Sequence, residues 1–199
     1  MADYQLSLIE NYIYLHHTDT FILIPTYPEQ IQDNLPITFS QSTPMSRTAP
    51  IYSYSNAGPR SMNVQLSLHR DLMTAFNKGV SNLKVEAGDD YIDTLLKQVQ
   101  AMALPAFNSS QKMVDPPIIS CKFGTDIYIT GVVTGSVSVS YGLPILRNGK
   151  YGSCSIGFNV SEIEPYGARE VMEMGSYRGL NRTLERSWSL THGGGGGTF

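Results

Sequence analysis

The stretch from Val132 to Val160, VVTGSVSVSYGLPILRNGKYGSCSIGFNV, decides the fold class. Val133, Val137, Val139 and Tyr141 fall on one side of an alternating pattern, and Thr134, Ser136, Ser138 and Ser140 on the other. A period of two is the signature of a half-buried strand. After the turn pair Asn148-Gly149, Ile156, Phe158 and Val160 alternate with Ser155, Gly157 and Asn159. The pattern predicts an antiparallel hairpin with one apolar and one hydroxyl-rich face. A row of Ser and Thr facing outward is solvated, or it lines a polar channel or an interface.

The same logic extends along the chain. Ser61 to His69 reads SMNVQLSLH, in which Met62, Val64, Leu66 and Leu68 alternate with polar residues. Strands are also expected at Phe21–Ile24, around Leu35–Phe39, at Ile118–Phe123 and from Asp126 to Val133, and residues 4–16 read as a strand or a packing arm. Tyr27 to Ile31 reads as a tight turn, or as one turn of helix starting at Pro28. The polar stretch SQSTPMSRTAPIYSYSNAGPR is interrupted by Pro44, Pro50 and Pro59 and reads as a long loop. Loops of that length in a compact domain usually have a role. Tyr52, Tyr54 and Arg60 belong to residue types enriched at interfaces, and they are candidate contact residues.

One helix is expected near residues 89–104. Ile92, Leu95, Leu96, Val99 and Met102 recur at helical spacing, Asp89 or Asp90 can cap the start, and Pro105 stops it. A single apolar stripe predicts a helix lying on a sheet. The chain thus divides into a β domain at 1–166 and a C-terminal extension at 167–199. In the extension Arg178, Arg182 and Arg186 are spaced to line one helix face. With Trp188 they form a candidate docking surface, and a solvated helix face is the plainer reading. The glycines at 193–197 read as a flexible linker.

Only 16% of the 199 residues are charged, against roughly 25% in ordinary globular chains. A surface with so little charge suggests permanent assembly. The net charge of -3 argues against a protein that grips nucleic acid. The N-terminus lacks the pattern of a signal peptide, and no run reaches the length of a membrane-spanning helix. Synthesis and assembly in the cytoplasm are therefore expected.

Little in the sequence suggests catalysis. No metal-ligand spacing links His16, His17, His69 and His192, and no cofactor is expected. Asp89, Asp90 and Asp93 fit a helix N-terminus. Glu162 and Glu164 read as a rim patch. Cys121 and Cys154 read as small buried residues. Neither GxSxG nor a phosphate loop occurs. The chain is expected not to be an enzyme.

Four segments in order resemble a family. They are FILIPTYPEQIQDNLPITFSQ, RTAPIYSYSNAGPRSMNVQLSLHRDL, YIDTLLKQVQAMALP and ITGVVTGSVSVSYGLPILRNGKYGSCSIGFNVSEIEPY, covering about residues 20–166. Together they resemble the tube-like baseplate proteins of contractile-tailed bacteriophages, which share the tail-tube fold. The resemblance implies a mainly β (α+β) fold: an antiparallel β-sandwich or barrel with one flanking helix and a long loop reaching between rings. It implies a structural virion protein of the tail baseplate, forming a ring expected to be hexameric. Its partners would be further copies of itself and the adjacent tube, hub and baseplate proteins. DNA would pass only in transit, and no membrane would be bound. Ser136, Ser138 and Ser140 would be candidate lumen residues. The alternative is a carbohydrate- or receptor-binding β-sandwich of the tail tip that uses Tyr52 and Tyr54.

Overall fold

A computed structural model describes residues 11–24, 26–70, 90–108, 113–164 and 167–173. Seven strands form one sheet in the order β2-β1-β9-β10-β11-β6-β3. They are β1 (Asn11–Leu15), β2 (Thr20–Leu23), β3 (Gln30–Asn34), β6 (Ser61–His69), β9 (Ile118–Phe123), β10 (Ile127–Ile145) and β11 (Tyr151–Glu162). Every neighbouring pair is antiparallel. Two ribbons stand apart, one of β4 (Ile37–Ser42) with β5 (Ile51–Ala57), the other of β7 (Ala106–Asn108) with β8 (Met113–Asp115). Two helices lie wholly within the described residues, α1 (Tyr91–Ala101) and the short α2 (Ala168–Glu173). The protein is therefore mainly β with antiparallel sheets, as the alternation predicts. Where the resemblance implied a sandwich or barrel, seven of the described strands form one sheet whose outer strands β2 and β3 do not pair with each other, and the other four form the two ribbons.

Register explains the core. Ile22, Ile13, Cys121 and Ile129 lie in one row across β2, β1, β9 and β10. Further along, Val139, Ile156 and Leu66 form a row, as do Phe158, Val64 and Ile31. These are the apolar positions of the period-two pattern. The helix covers this face with Tyr91, Ile92, Leu95, Leu96 and Val99, and Met102 follows at full burial. Each such side chain contributes about 1.5–3 kcal/mol of gross transfer free energy. Tyr91 also donates its hydroxyl to the Leu23 carbonyl at 2.5 Å, and burial raises its pKa. That bond fixes the start of the helix over β2.

The main hairpin is the expected one, with two irregularities. Between Thr134 and Ser138 four residue steps on β10 face two on β11, and Gly135 takes φ +77. A slip of two residues preserves side-chain parity, so Val133, Val137 and Val139 all pack against the core. The second shift lies between Gly142 and Ile145, around a cis Leu143–Pro144 peptide bond. Already before it the strand outruns the core, and Tyr141, placed on the apolar face by pattern, is 53% exposed. The turn closes with Gly149 at φ +80, and the Asn148 carboxamide oxygen accepts from the Lys150 amide.

Two expectations are corrected. Gln30 and Ile31, expected in a turn, instead open the edge strand β3, because Ile31 pairs with Val64 and is drawn onto the core. The stretch read as a long loop is mostly the β4–β5 hairpin, an arm. Its prolines do not interrupt strands. Pro44 and Pro50 bound the turn, and Pro59 follows β5. Proline is excluded from a ladder but well suited to its ends.

Candidate functional site

With no reactive constellation to build from, the functional candidates are surfaces. The first is the sheet face opposite α1. Across β10, β11, β6 and β3 the register aligns Ser138 with Gly157, Gln65 and Gln30, and Thr134 with Asn159, Asn63 and Gln32. Ser140, Ser155 and Ser67 form a third row. Hydroxyls and amides bridge the strands. Thr134 Oγ1 lies 3.0 Å from Ser161 Oγ, Asn159 Nδ2 donates to Thr134 Oγ1 at 3.1 Å, and Ser138 Oγ donates to the Gly157 carbonyl. On these alternating positions the titratable side chains are His69, Tyr128 and Tyr151, and none is Asp, Glu, Lys or Arg. The result is a hydrophilic surface without charge. Ser136, Ser138 and Ser140 are all exposed on it. An open recess of about 210 Å³ near the hairpin end is lined mainly by serines, His69 and Tyr141.

The second candidate is the arm. All residues of β4 and β5 are exposed. Phe39 pairs with Tyr54, their rings edge to face at 5.5 Å, and Gln41 pairs with Tyr52. Ile37, Phe39, Tyr52 and Tyr54 therefore make one apolar, aromatic face, each more than half exposed. Ser40 and Ser55 bond across the other face at 2.9 Å. The candidates Tyr52 and Tyr54 thus project into solvent together. The base is closed by a bond from the Gly58 amide to the Pro36 carbonyl at 2.8 Å.

Arg60 stands elsewhere, at the base of the arm. Its guanidinium binds both oxygens of Asp33 at 2.7–2.9 Å, and its Nη1 lies 3.9 Å from the Glu162 carboxylate. The Asp33 hydrogen bonds raise its pKa despite its burial. Its side chain is 13% exposed, so its charge is spent within the chain, joining β3 to β11. Glu162, read as half of a rim patch with Glu164, is buried here, whereas Glu164 is exposed. The positions Arg178, Arg182, Arg186 and Trp188 lie outside the described residues.

Two clusters were not legible in the sequence. In the first, Arg70 at the end of β6 donates to the Tyr151 carbonyl at 2.7 Å, to Asp93 Oδ1 at 2.8 Å and to Asp90. Lys150 in the hairpin turn binds Asp93. Asp90 and Asp93 also form a reciprocal capping box on α1. Burial works to raise the Asp93 carboxyl, but the bonds from Arg70, Lys150 and the Asp90 amide outweigh it and hold it well below the usual range. Asp89 lies outside the described residues, and Asp90 and Asp93 hold the helix N-terminus as the sequence predicts. Their cationic partners come from 20 and 57 residues away, a separation no local pattern reveals.

In the second, His16 Nε2 lies 2.7 Å from Ser120 Oγ, which lies 2.8 Å from Thr130 Oγ1. A Ser–His pair at this distance is the start of a nucleophile arrangement. Here the serine is 1% exposed and its oxygen is engaged on both sides, so a substrate cannot reach it. Burial, and the neighbouring His17, lower the pKa of His16. Among the described residues no group of three or more His, Cys, Asp or Glu could hold a metal ion, and no helix is long and apolar enough to cross a membrane. Cys121 and Cys154 are free and buried, and burial raises both thiols.

No protein-family model matches the chain, and no curated protein sequence matches it.

Proposed function

We propose that this chain is a structural protein of a contractile bacteriophage tail, a baseplate ring that links the hub to the tube and surrounds the DNA channel. The observation that supports this most is the sheet. It is apolar and helix-covered on one face, uncharged and hydrophilic over four strands on the other, and open at both outer strands among the described residues. An open edge is a template for another strand. Copies joined β2 to β3 would continue the sheet into a ring wall. A lumen lined by hydroxyls and amides holds no phosphate, because retention of DNA comes from cationic contacts. The protein works in this reading by shape and surface, without catalysis or cofactor.

The test has two arms. The purified chain, alone and mixed with the tail proteins of its particle, is imaged by electron microscopy; rings or ordered incorporation are expected. A chain that stays monomeric in both settings counts against the proposal. In the particle, Ser136→Lys with Ser138→Lys should leave thermal stability within about 0.5 kcal/mol of wild type, since both are exposed, while DNA delivery falls. Unchanged delivery places these serines outside a channel.

A further inference from the structure

The turn of the main hairpin holds a chemically reactive pair. Asn148 is the only asparagine of the chain that precedes a glycine. A side-chain amide can close on the next backbone nitrogen, and glycine leaves that nitrogen uncrowded because it has no Cβ. Asn148 and Gly149 are both exposed, and a Cβ built on Gly149 would meet nothing within 4 Å. Solvent therefore reaches the pair. Every other described asparagine precedes a residue with a Cβ, and Asn63 and Asn159 precede β-branched valines inside paired strands.

The geometry prepares one partner and restrains the other. Asn148 Oδ1 accepts from the Lys150 amide at 3.1 Å. This side-chain turn curls the carboxamide back along the chain, across the intervening Gly149 peptide. It also sets a donor where negative charge would develop on Oδ1 if the carboxamide carbon were attacked. The nucleophile is held back. The Gly149 N–H donates to the Leu146 carbonyl at 2.9 Å, and the Leu146 amide donates to the Lys150 carbonyl at 2.8 Å. Lys150 Nζ in turn binds Asp93 at the start of α1 and lies 3.9 Å from Asp90. The ion pair thus anchors the residue that closes the turn.

We infer that Asn148 is a site of spontaneous deamidation, and that the Lys150–Asp93 pair governs its rate by holding the turn shut. When the turn opens, the Gly149 nitrogen is released from Leu146. It attacks Asn148 Cγ and gives up its proton as the new C–N bond forms. The Cγ–Nδ2 bond breaks, and Nδ2 leaves as ammonia. The five-membered imide then takes up one water. Cleavage of the new Cγ–N bond gives aspartate, and cleavage of the original backbone C–N bond gives isoaspartate. One water enters, one ammonia leaves, and no electron is transferred. Either product adds one negative charge to a chain of net charge -3. Isoaspartate also routes the backbone through Cγ, which lengthens it and disrupts the two turn bonds. The change runs one way, and it loosens the grip of Lys150 on the helix cap. It is independent of the baseplate reading.

The experiment incubates the full chain at neutral pH and follows each asparagine by peptide mapping in a mass spectrometer. Asn148 should convert ahead of every other asparagine, and faster as the pH is raised, because the Gly149 nitrogen must lose its proton. Asn148→Gln, whose longer side chain would need a six-membered ring, should stay unconverted at that position. Lys150→Met should convert about threefold faster than wild type, the factor that a partly exposed ion pair commands. Added salt screens the same pair and should speed wild type without any substitution. Circular dichroism shows whether Lys150→Met keeps its fold; if it does not, the salt arm decides alone. The inference is overturned if Asn148 keeps its amide over a period in which a free peptide spanning Leu146 to Tyr151 converts fully. Equal rates with and without the ion pair, by substitution or by salt, overturn the control assigned to Lys150 and Asp93.

Discussion

Replacing Arg70 by Met tests whether the ion cluster holds the hairpin turn to the helix. The guanidinium is 7% exposed and joins the Tyr151 carbonyl to Asp90 and Asp93. Met retains most of the packing volume and removes every one of these donors. Deleting one partner of a fully buried ion pair costs about 3–5 kcal/mol. The aspartates are partly solvated, at 30% and 21%, and Lys150 still binds Asp93. Solvent screening therefore brings the expected loss to about 2 kcal/mol at pH 7. Acid supplies the sign. A carboxyl held below its unfolded pKa of about 3.9 stabilises the fold above that pH, and the stabilisation is lost as pH falls towards the folded value. Wild type should lose about 1 kcal/mol from Asp93 on going from pH 7 to pH 3. The variant has lost the Arg70 bonds that depress this carboxyl, so its own loss should be smaller. Urea unfolding at the two pH values should then show a difference of about 2 kcal/mol at pH 7 that narrows by roughly half at pH 3. An unchanged midpoint at pH 7, or a gap equally wide at both pH values, would refute this account of the cluster.

Two further outcomes test the sheet. A Cβ at Gly131 would lie 2.0 Å from the Ser161 carbonyl oxygen, which is backbone and cannot yield. Gly131→Ala should therefore part β10 from β11 and cost at least about 2 kcal/mol in denaturant unfolding. Gly157→Ala meets only the Ser138 hydroxyl at 2.8 Å, which can rotate away, and should cost under about 1 kcal/mol. Similar losses for the two would show that the close β10–β11 approach at Gly131 does not matter. Cys121 and Cys154 should react with a thiol reagent only at the rate of unfolding, because both are buried and their thiols are raised. Rapid reaction under native conditions would contradict the packing of β9 and β11.

The parts whose stabilisation is local and periodic were legible in the residue pattern alone. The Ser/Thr face of the main hairpin, the alternation of β6 and the stripe of α1 each repeat at the period of their own element. A reader of the pattern recovers them because burial selects the same positions that the period marks. Asp90 was legible as a cap for the same reason, since a cap acts within one turn of helix. Where the stabilisation comes from a distant residue, the local signal was weak or misleading. Gln30 to Asn34 has one apolar side chain and becomes a strand only because β6 offers it an edge. The arm looked like a loop because its strands pair with each other and bury nothing, so they leave no contrast between inside and outside. Arg60 has the residue type of an interface anchor, yet Asp33 and Glu162 converge on it from two other strands and neutralise it. Arg70 and Lys150 meet the helix cap only once the sheet has brought β6 and the hairpin turn together. Only the tertiary structure could tie the turn at Lys150 to a helix cap 57 residues away, because strand register, not composition, decides which distant residues meet.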